Sequence, residues 1–264
     1  MERAEGARTF AVSGDAYDNF MGRYSRLLAP AFADFAGVAS GQRALDVGCG
    51  PGALTVELAK RLGPDSVSAT DPSDSFVNAC ASRVAGTEVR LGRAEAIPFD
   101  DASFDVALAQ LVLHFVSDAP KAAQEFRRVV RGSGVAGACV WDFERGMEML
   151  RHFWDAALTV DPEAPDEART LRFGKAGEIA ELLSTAGFVD VTEAALDVAT
   201  TYADFDELWS GFMAGIGPAG AFCVALDEPR RAALRRDLYE RVGSPTGAFT
   251  LHAVARSAAG RAPA

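Results

Sequence analysis

The chain has 264 residues, 49% of them hydrophobic and 24% charged, which is long for one domain and short for two, so a single domain spanning 1–264 with insertions is expected. A formal net charge of -11 sets up a long-range negative field that repels phosphate backbones and anionic membranes, which counts against nucleic acid as a partner. No apolar run reaches bilayer length, and the polar opening stretch lacks the apolar centre of a secretory signal, so no membrane span is expected.

In residues 10–40, Tyr17, Phe20, Met21, Tyr24, Leu27, Leu28, Phe32 and Phe35 recur at steps of three and four, the pattern of helices preceding a main sheet. Ser40-Gly41-Gln42 turns the chain into a first strand, Ala44 to Val47. Next comes Gly48-Cys49-Gly50-Pro51-Gly52, with glycine at every second position, and then a helix with Leu54, Leu58 and Leu62 on one face that Gly63-Pro64 stops. Glycines there remove the Cβ atoms that would hold a ligand off the main chain, so the strand, loop and helix read as a nucleotide-cofactor loop. Gly48, Gly50 and Ala53 fit the dinucleotide pattern equally well, and the loop alone leaves both cofactors open.

Ser66 to Thr70 is a second strand with Asp71-Pro72-Ser73 at its carboxyl end, and a helix follows over Asp74 to Val84. Glu88 to Leu91 is a third strand, and Phe104 to Ala109 a fourth that runs into Gln110-Leu111-Val112-Leu113-His114. Asp118 is placed to cap a helix that closes at Arg131-Gly132-Ser133-Gly134, before a fifth strand over Val135 to Val140. Strands alternating with helices at this spacing specify a parallel sheet covered on both faces, with ligands at the strands' carboxyl ends. The second half is less regular. A helix with a proline-bearing acidic turn over Phe143 to Asp166, a strand from Val189 to Val198, an apolar helix around Phe205 to Met213, a helix over Glu228 to Val242 and a closing strand from Ala248 to Ala255 are expected, with Ser257 to Ala264 a frayed tail.

Cys49, Cys80, Cys139 and Cys223 are scattered, and none of His114, His152 and His252 stands at metal-ligand spacing from them. Reduced structural thiols, no metal site and a cytoplasmic setting are the expectation.

Three segments taken together resemble the class I S-adenosylmethionine-dependent methyltransferases, most closely the small-molecule branch that includes quinone C-methyltransferases. They are Leu45-Asp46-Val47-Gly48-Cys49-Gly50-Pro51-Gly52, Asp71 some twenty residues on, and Ala94-Glu95-Ala96-Ile97-Pro98-Phe99. The resemblance implies an α/β, Rossmann-like seven-stranded mixed sheet with its last strand antiparallel and helices on both faces, plus N-terminal and inserted lid helices. It implies S-adenosylmethionine as cofactor, with Asp71 at the ribose, Pro72 beside it, Ala94 and Glu95 at the adenine, and Asp46, Gly48, Cys49, Gly50, Gly52 and Gln110 around the rest. A carboxylate at Asp46 suits a cationic sulfonium and amino group better than a pyrophosphate, which favours a methyltransferase over an NAD-dependent oxidoreductase. A non-catalytic cofactor-binding protein is the other alternative.

Within the same resemblance, residues 10–40 form a helical cap, 41–142 the cofactor-binding core, and 143–173 and 200–245 helical insertions over the acceptor site. Tyr17 would then cover the methionyl end of the cofactor and Arg23 face its carboxylate. Gln110-Leu111-Val112-Leu113 is unlike the Asn-Pro-Pro-Tyr type of sequence that accompanies methylation of base or amide nitrogens, and Arg93 stands where the family often has an acid. His114, just after strand four, is the candidate general base, set against an ordinary packed histidine. The aromatic residues after the later strands suggest a small apolar or aromatic acceptor.

Overall fold

The structure, a computed structural model, describes residues 20–264. Helix α1 (Gly22–Phe35) leads into β1 (Ala44–Val47), and α2 (Ala53–Leu62) follows the glycine loop. Then come β2 (Val67–Asp71), α3 (Asp74–Arg83), β3 (Glu88–Leu91), β4 (Phe104–Gln110), α4 (Ala119–Val129) and β5 (Val130–Trp141). The second half contains α5 (Glu148–Val160), a single turn α6 (Glu167–Thr170), α7 (Glu178–Thr185), β6 (Val189–Tyr202), α8 (Phe205–Met213), α9 (Gly217–Ala225), α10 (Glu228–Arg241) and β7 (Phe249–Arg261).

The strands form one seven-stranded sheet in the order β3-β2-β1-β4-β5-β7-β6. β1 to β5 pair in parallel, and β7 inserts antiparallel between β5 and β6. The order reverses between β1 and β4, which opens a crevice at their carboxyl ends. β1 and β2 are buried along their whole length, as central strands covered on both faces must be, whereas edge strand β3 is largely exposed and carries Glu88 and Arg90. Leu54 and Leu58 of α2 are fully buried, each contributing about 2 kcal/mol of apolar transfer. The Asp118 carboxylate accepts the Lys121 backbone N–H at 3.0 Å and so caps α4.

Several boundaries differ from the sequence reading: β2 is shifted by one residue to Val67–Asp71, and β6 runs on past Val198 to Tyr202. Arg131 to Gly134 belong to β5, which begins at Val130, and its register shifts between Phe104 and Val106 as it joins β4. Such an irregularity absorbs a Gly-rich stretch that would otherwise end a helix. Ser257 to Arg261, expected to fray, continue β7: Ser257 pairs with Cys139 on one side and Ala194 on the other, and Ala258 and Ala259 are buried. Small residues read as a tail by composition, yet they fit here because β7 is sandwiched beside the equally small Ala136, Gly137 and Ala138.

Candidate active site

At the crevice lies a cleft of about 1070 Å3, its open mouth included. Its floor is the glycine loop. Gly48, Gly50 and Gly52 all have positive φ (74°, 52° and 99°), the region glycine enters without a Cβ penalty. A Cβ on Gly48 would lie 2.5 Å from Cγ2 of Val112, which forms the opposite wall, while Gly50 has open space around it. Gly52 is not in the cleft wall. It caps α2, and a Cβ there would come within 3.1 Å of the Cys80 sulfur.

Two carboxylates flank the loop. Asp46 is buried and accepts the Thr55 hydroxyl at 2.6 Å, and burial, reinforced by the neighbouring Asp71 and opposed by the Thr55 hydrogen bond, pushes its pKa up to about 7. Asp71 accepts the backbone N–H groups of Gly50 and Ser73, each at 2.9 Å, so it ties the glycine loop to the end of β2. Its pKa is raised to about 6, by burial against the pull of those two hydrogen bonds. Neither carboxylate has a cationic partner among the described hydrogen bonds and ion pairs, so the ligand that suits this cleft brings positive charge.

Gln110 sits at the end of β4, and its side-chain N–H donates to the Ser25 carbonyl at 3.0 Å, which fixes the amide. Its Oε1 is buried and lacks a hydrogen-bond partner, an acceptor that an ammonium or hydroxyl in the cleft would complete. Pro72, Cys49, Ala94 and Glu95 also line the cleft. The Glu95 carboxylate accepts the Ser117 N–H at 3.1 Å and so draws the segment after β4 over the cleft. Arg93 lines the cleft as well, with its guanidinium 3.6 Å from Glu95.

A second cavity, of about 430 Å3 with its open mouth included, shares Leu111 and Phe115 with the cleft. Leu111 has φ +62°, a strained setting for a leucine, held by its N–H donating to the Cys139 carbonyl at 2.8 Å. His114 lines this second cavity rather than the cleft. It is half-buried with Nδ1 sealed from solvent and unpartnered, and burial pushes its pKa down to about 3. Trp141 and Phe143 line the same cavity, as the sequence suggested for residues after the later strands, while Trp154 and Phe212 are packed in the core.

Arg23 is placed away from the cleft wall. Its guanidinium pairs with Glu207 at 2.9 Å, donates to the Thr201 carbonyl and lies 4.1 Å over the Tyr202 ring. A sequence reading sees an arginine near an aromatic segment but not the acid 184 residues on that engages it. Tyr17 lies outside the described residues. Ser25, Phe76, Phe115 and Val116 wall the cleft without having been singled out, because one residue of a helix or of the segment after a strand carries no sequence signal of its own. No cluster of His, Cys, Asp or Glu able to hold a metal occurs among the described residues.

Residues 45–137 match the family model described as a methyltransferase domain. A demethylmenaquinone methyltransferase of Roseiflexus castenholzii is 34% identical over 168 residues, which span 57% of this chain and 69% of that protein. The chain belongs to the class I S-adenosylmethionine-dependent methyltransferases. The nocamycin O-methyltransferase of Saccharothrix syringae is 34% identical over 170 residues, 56% of this methyltransferase and 60% of that one. Of most of the first curated relatives that it matches, the chain spans about half the length. Among solved structures, a candidate type II methyltransferase from Anaeromyxobacter dehalogenans superposes with a TM-score of 0.63 at 22% identity, over 90% of this chain and 96% of that one, which is a likeness of fold. The glycine loop, Asp46, Asp71 and Ala94-Glu95 of this methyltransferase all fall inside the segment that the family model covers.

Proposed function

We propose that the chain transfers a methyl group from S-adenosylmethionine to a small, largely apolar acceptor, with the donor in the cleft and the acceptor in the second cavity behind Leu111 and Phe115. The observation that carries this reading is the pair of buried carboxylates, Asp46 and Asp71, beside the orphaned Oε1 of Gln110 in one cleft. That set of acceptors fits a ligand with a sulfonium, an ammonium and ribose hydroxyls, and it opposes the pyrophosphate of a nicotinamide cofactor.

Bound there, S-adenosylmethionine supplies an electrophilic methyl whose leaving group departs neutral, so no general acid is required. The protein's task is then alignment and exclusion of water, which together supply most of the rate in such displacements. Asp71 holds the ribose end, the Gly48–Gly52 loop lets the main chain approach closely, and Gln110 and Asp46 hold the methionyl end. Ala94 and Glu95 flank the adenine end, with Cys49 and Pro72 completing the wall. The strained Leu111 sets the partition between donor and acceptor.

His114 is neutral in the free protein, the form that can accept a proton. Among the described residues no hydrogen bond or ion pair joins it to a carboxylate that would stabilise an imidazolium, so a deprotonated acceptor would have to supply that counter-charge. No helix among the described residues is by itself long and apolar enough to cross a membrane, and a cytoplasmic setting accords with four unpaired cysteines. Thermal shift against S-adenosylhomocysteine and against NAD tests the reading: stabilisation by the first alone is expected, and stabilisation by NAD alone would overturn it.

A further inference from the structure

Asp46 stands in the lining of the cleft, but what holds it lies behind the wall. Its carboxylate accepts the Thr55 hydroxyl at 2.6 Å, and the Thr55 oxygen in turn accepts the Cys80 thiol at 3.4 Å. Thr55 and Cys80 are fully buried, and neither belongs to the cleft lining. Three elements meet in this chain of hydrogen bonds: β1 carries Asp46, the first turn of α2 carries Thr55, and α3 carries Cys80. The glycine loop joins the first two and makes room for the third, since a Cβ on Gly52 would come within 3.1 Å of the Cys80 sulfur.

The direction of the chain follows from the hydrogens available. An ionised carboxylate only accepts, and a hydroxyl has one hydrogen to give. Once the Thr55 hydrogen is committed to Asp46, its oxygen is open to the thiol, whose hydrogen then fixes the hydroxyl rotor. A hydroxyl held this way favours the ionised carboxylate and opposes the burial that disfavours it, and the Thr55 backbone N–H acts in the same sense. The other titratable groups around Asp46 give no such help. Asp71 at the end of β2 repels its charge, and the thiols of Cys49, Cys80 and Cys139 are neighbours that Asp46 itself disfavours as anions. Among the described residues, Thr55 supplies the hydrogen bond on which the charge of Asp46 depends.

We propose, on the basis of the methyl-donor reading above, that Thr55 is a positioning residue for the donor: its hydroxyl, steadied by Cys80, holds the Asp46 carboxylate for the cationic methionyl end of S-adenosylmethionine without touching the ligand. The ribose end, assigned to Asp71, lies outside this chain of hydrogen bonds. Loss of the hydroxyl therefore costs affinity for a ligand bearing the sulfonium and ammonium and spares one that ends just beyond the ribose.

The test is a calorimetric titration of the full chain with S-adenosylmethionine and with 5′-methylthioadenosine, which lacks both the sulfonium and the amino acid, between about pH 5 and about pH 8.5. Thr55→Val keeps the shape and removes the hydroxyl, and Thr55→Ser keeps the hydroxyl. In Thr55→Val, S-adenosylmethionine should bind about tenfold more weakly at neutral pH, and the midpoint of its rise with pH should move up by about one pH unit, the scale of one hydrogen bond to a charged group. Affinity for 5′-methylthioadenosine should stay within about twofold, and Thr55→Ser should show the native affinity and midpoint. A role in packing alone would weaken both ligands alike and leave the midpoint in place, and that result overturns the proposal. Cys80→Ala removes only the thiol behind Thr55 and should weaken S-adenosylmethionine by about threefold, again sparing 5′-methylthioadenosine. If Thr55→Val does not fold, an unchanged ratio of the two affinities in Cys80→Ala overturns the proposal by itself. Failure of the native chain to bind S-adenosylmethionine is a separate outcome, which overturns the donor reading and this assignment with it.

Discussion

Asp46 and Asp71 are held with their carboxyls above the ordinary range because the fold removes them from water without pairing them with a cation among the described residues. The neutral forms favour the free protein, so the stability these two groups contribute is present in full at low pH and is lost as pH rises through about 6 for Asp71 and about 7 for Asp46. A cationic ligand favours the ionised forms and reverses that dependence. Affinity for S-adenosylmethionine, whose sulfonium makes it cationic, should therefore rise by about tenfold from about pH 5 to about pH 7.5, with net proton release near neutrality, measured by calorimetry in buffers of different ionisation enthalpy. Asp46→Asn should flatten the upper part of that rise.

The glycines divide by their surroundings. An alanine at either Gly48 or Gly50 meets the left-handed backbone at a cost of about 1 kcal/mol. Gly48→Ala also drives a Cβ to 2.5 Å from Val112, whereas Gly50→Ala meets open space. Chemical denaturation should show Gly48→Ala less stable than Gly50→Ala by about 1–3 kcal/mol, the usual cost of overpacking.

At the scale of the element, strands β1 and β3 were legible to the residue, because short apolar or alternating runs bounded by turns leave few alternatives. The ends of β5 and β7 were not. Gly132, Gly134 and Ser257 to Gly260 have low intrinsic strand preference, and only the neighbouring strands make them strand. Truncation after Arg256 should consequently remove more than a tail: it strips the pairing of Ser257 to Arg261 from both β5 and β6 and leaves two open edges. Loss of a cooperative thermal transition is expected for that truncation, and a near-native transition for removal of Pro263 and Ala264 alone.

Taken as a whole molecule, the half of the site built on one continuous segment was readable and the half built by distant segments was not. Asp46, the loop, Asp71 and Ala94-Glu95 sit at strand ends whose spacing the sequence displays. The second cavity joins Phe20, His114, Trp141, Glu167 and Ile216 from five parts of the chain, and no local pattern announces that meeting. Arg23 illustrates the same limit, since its partner Glu207 comes from α8. His114 was visible as a candidate, but its neutrality follows from an enclosure that only the fold creates.

The most direct measurement of the central claim is a calorimetric titration of the full chain with S-adenosylhomocysteine, repeated on Asp71→Asn. Saturable one-to-one binding is predicted, weakened about tenfold or more by the substitution, the usual scale for a charge-assisted hydrogen bond lost at a buried site. No binding by the native chain, or binding indifferent to the loss of the Asp71 carboxylate, would contradict the account.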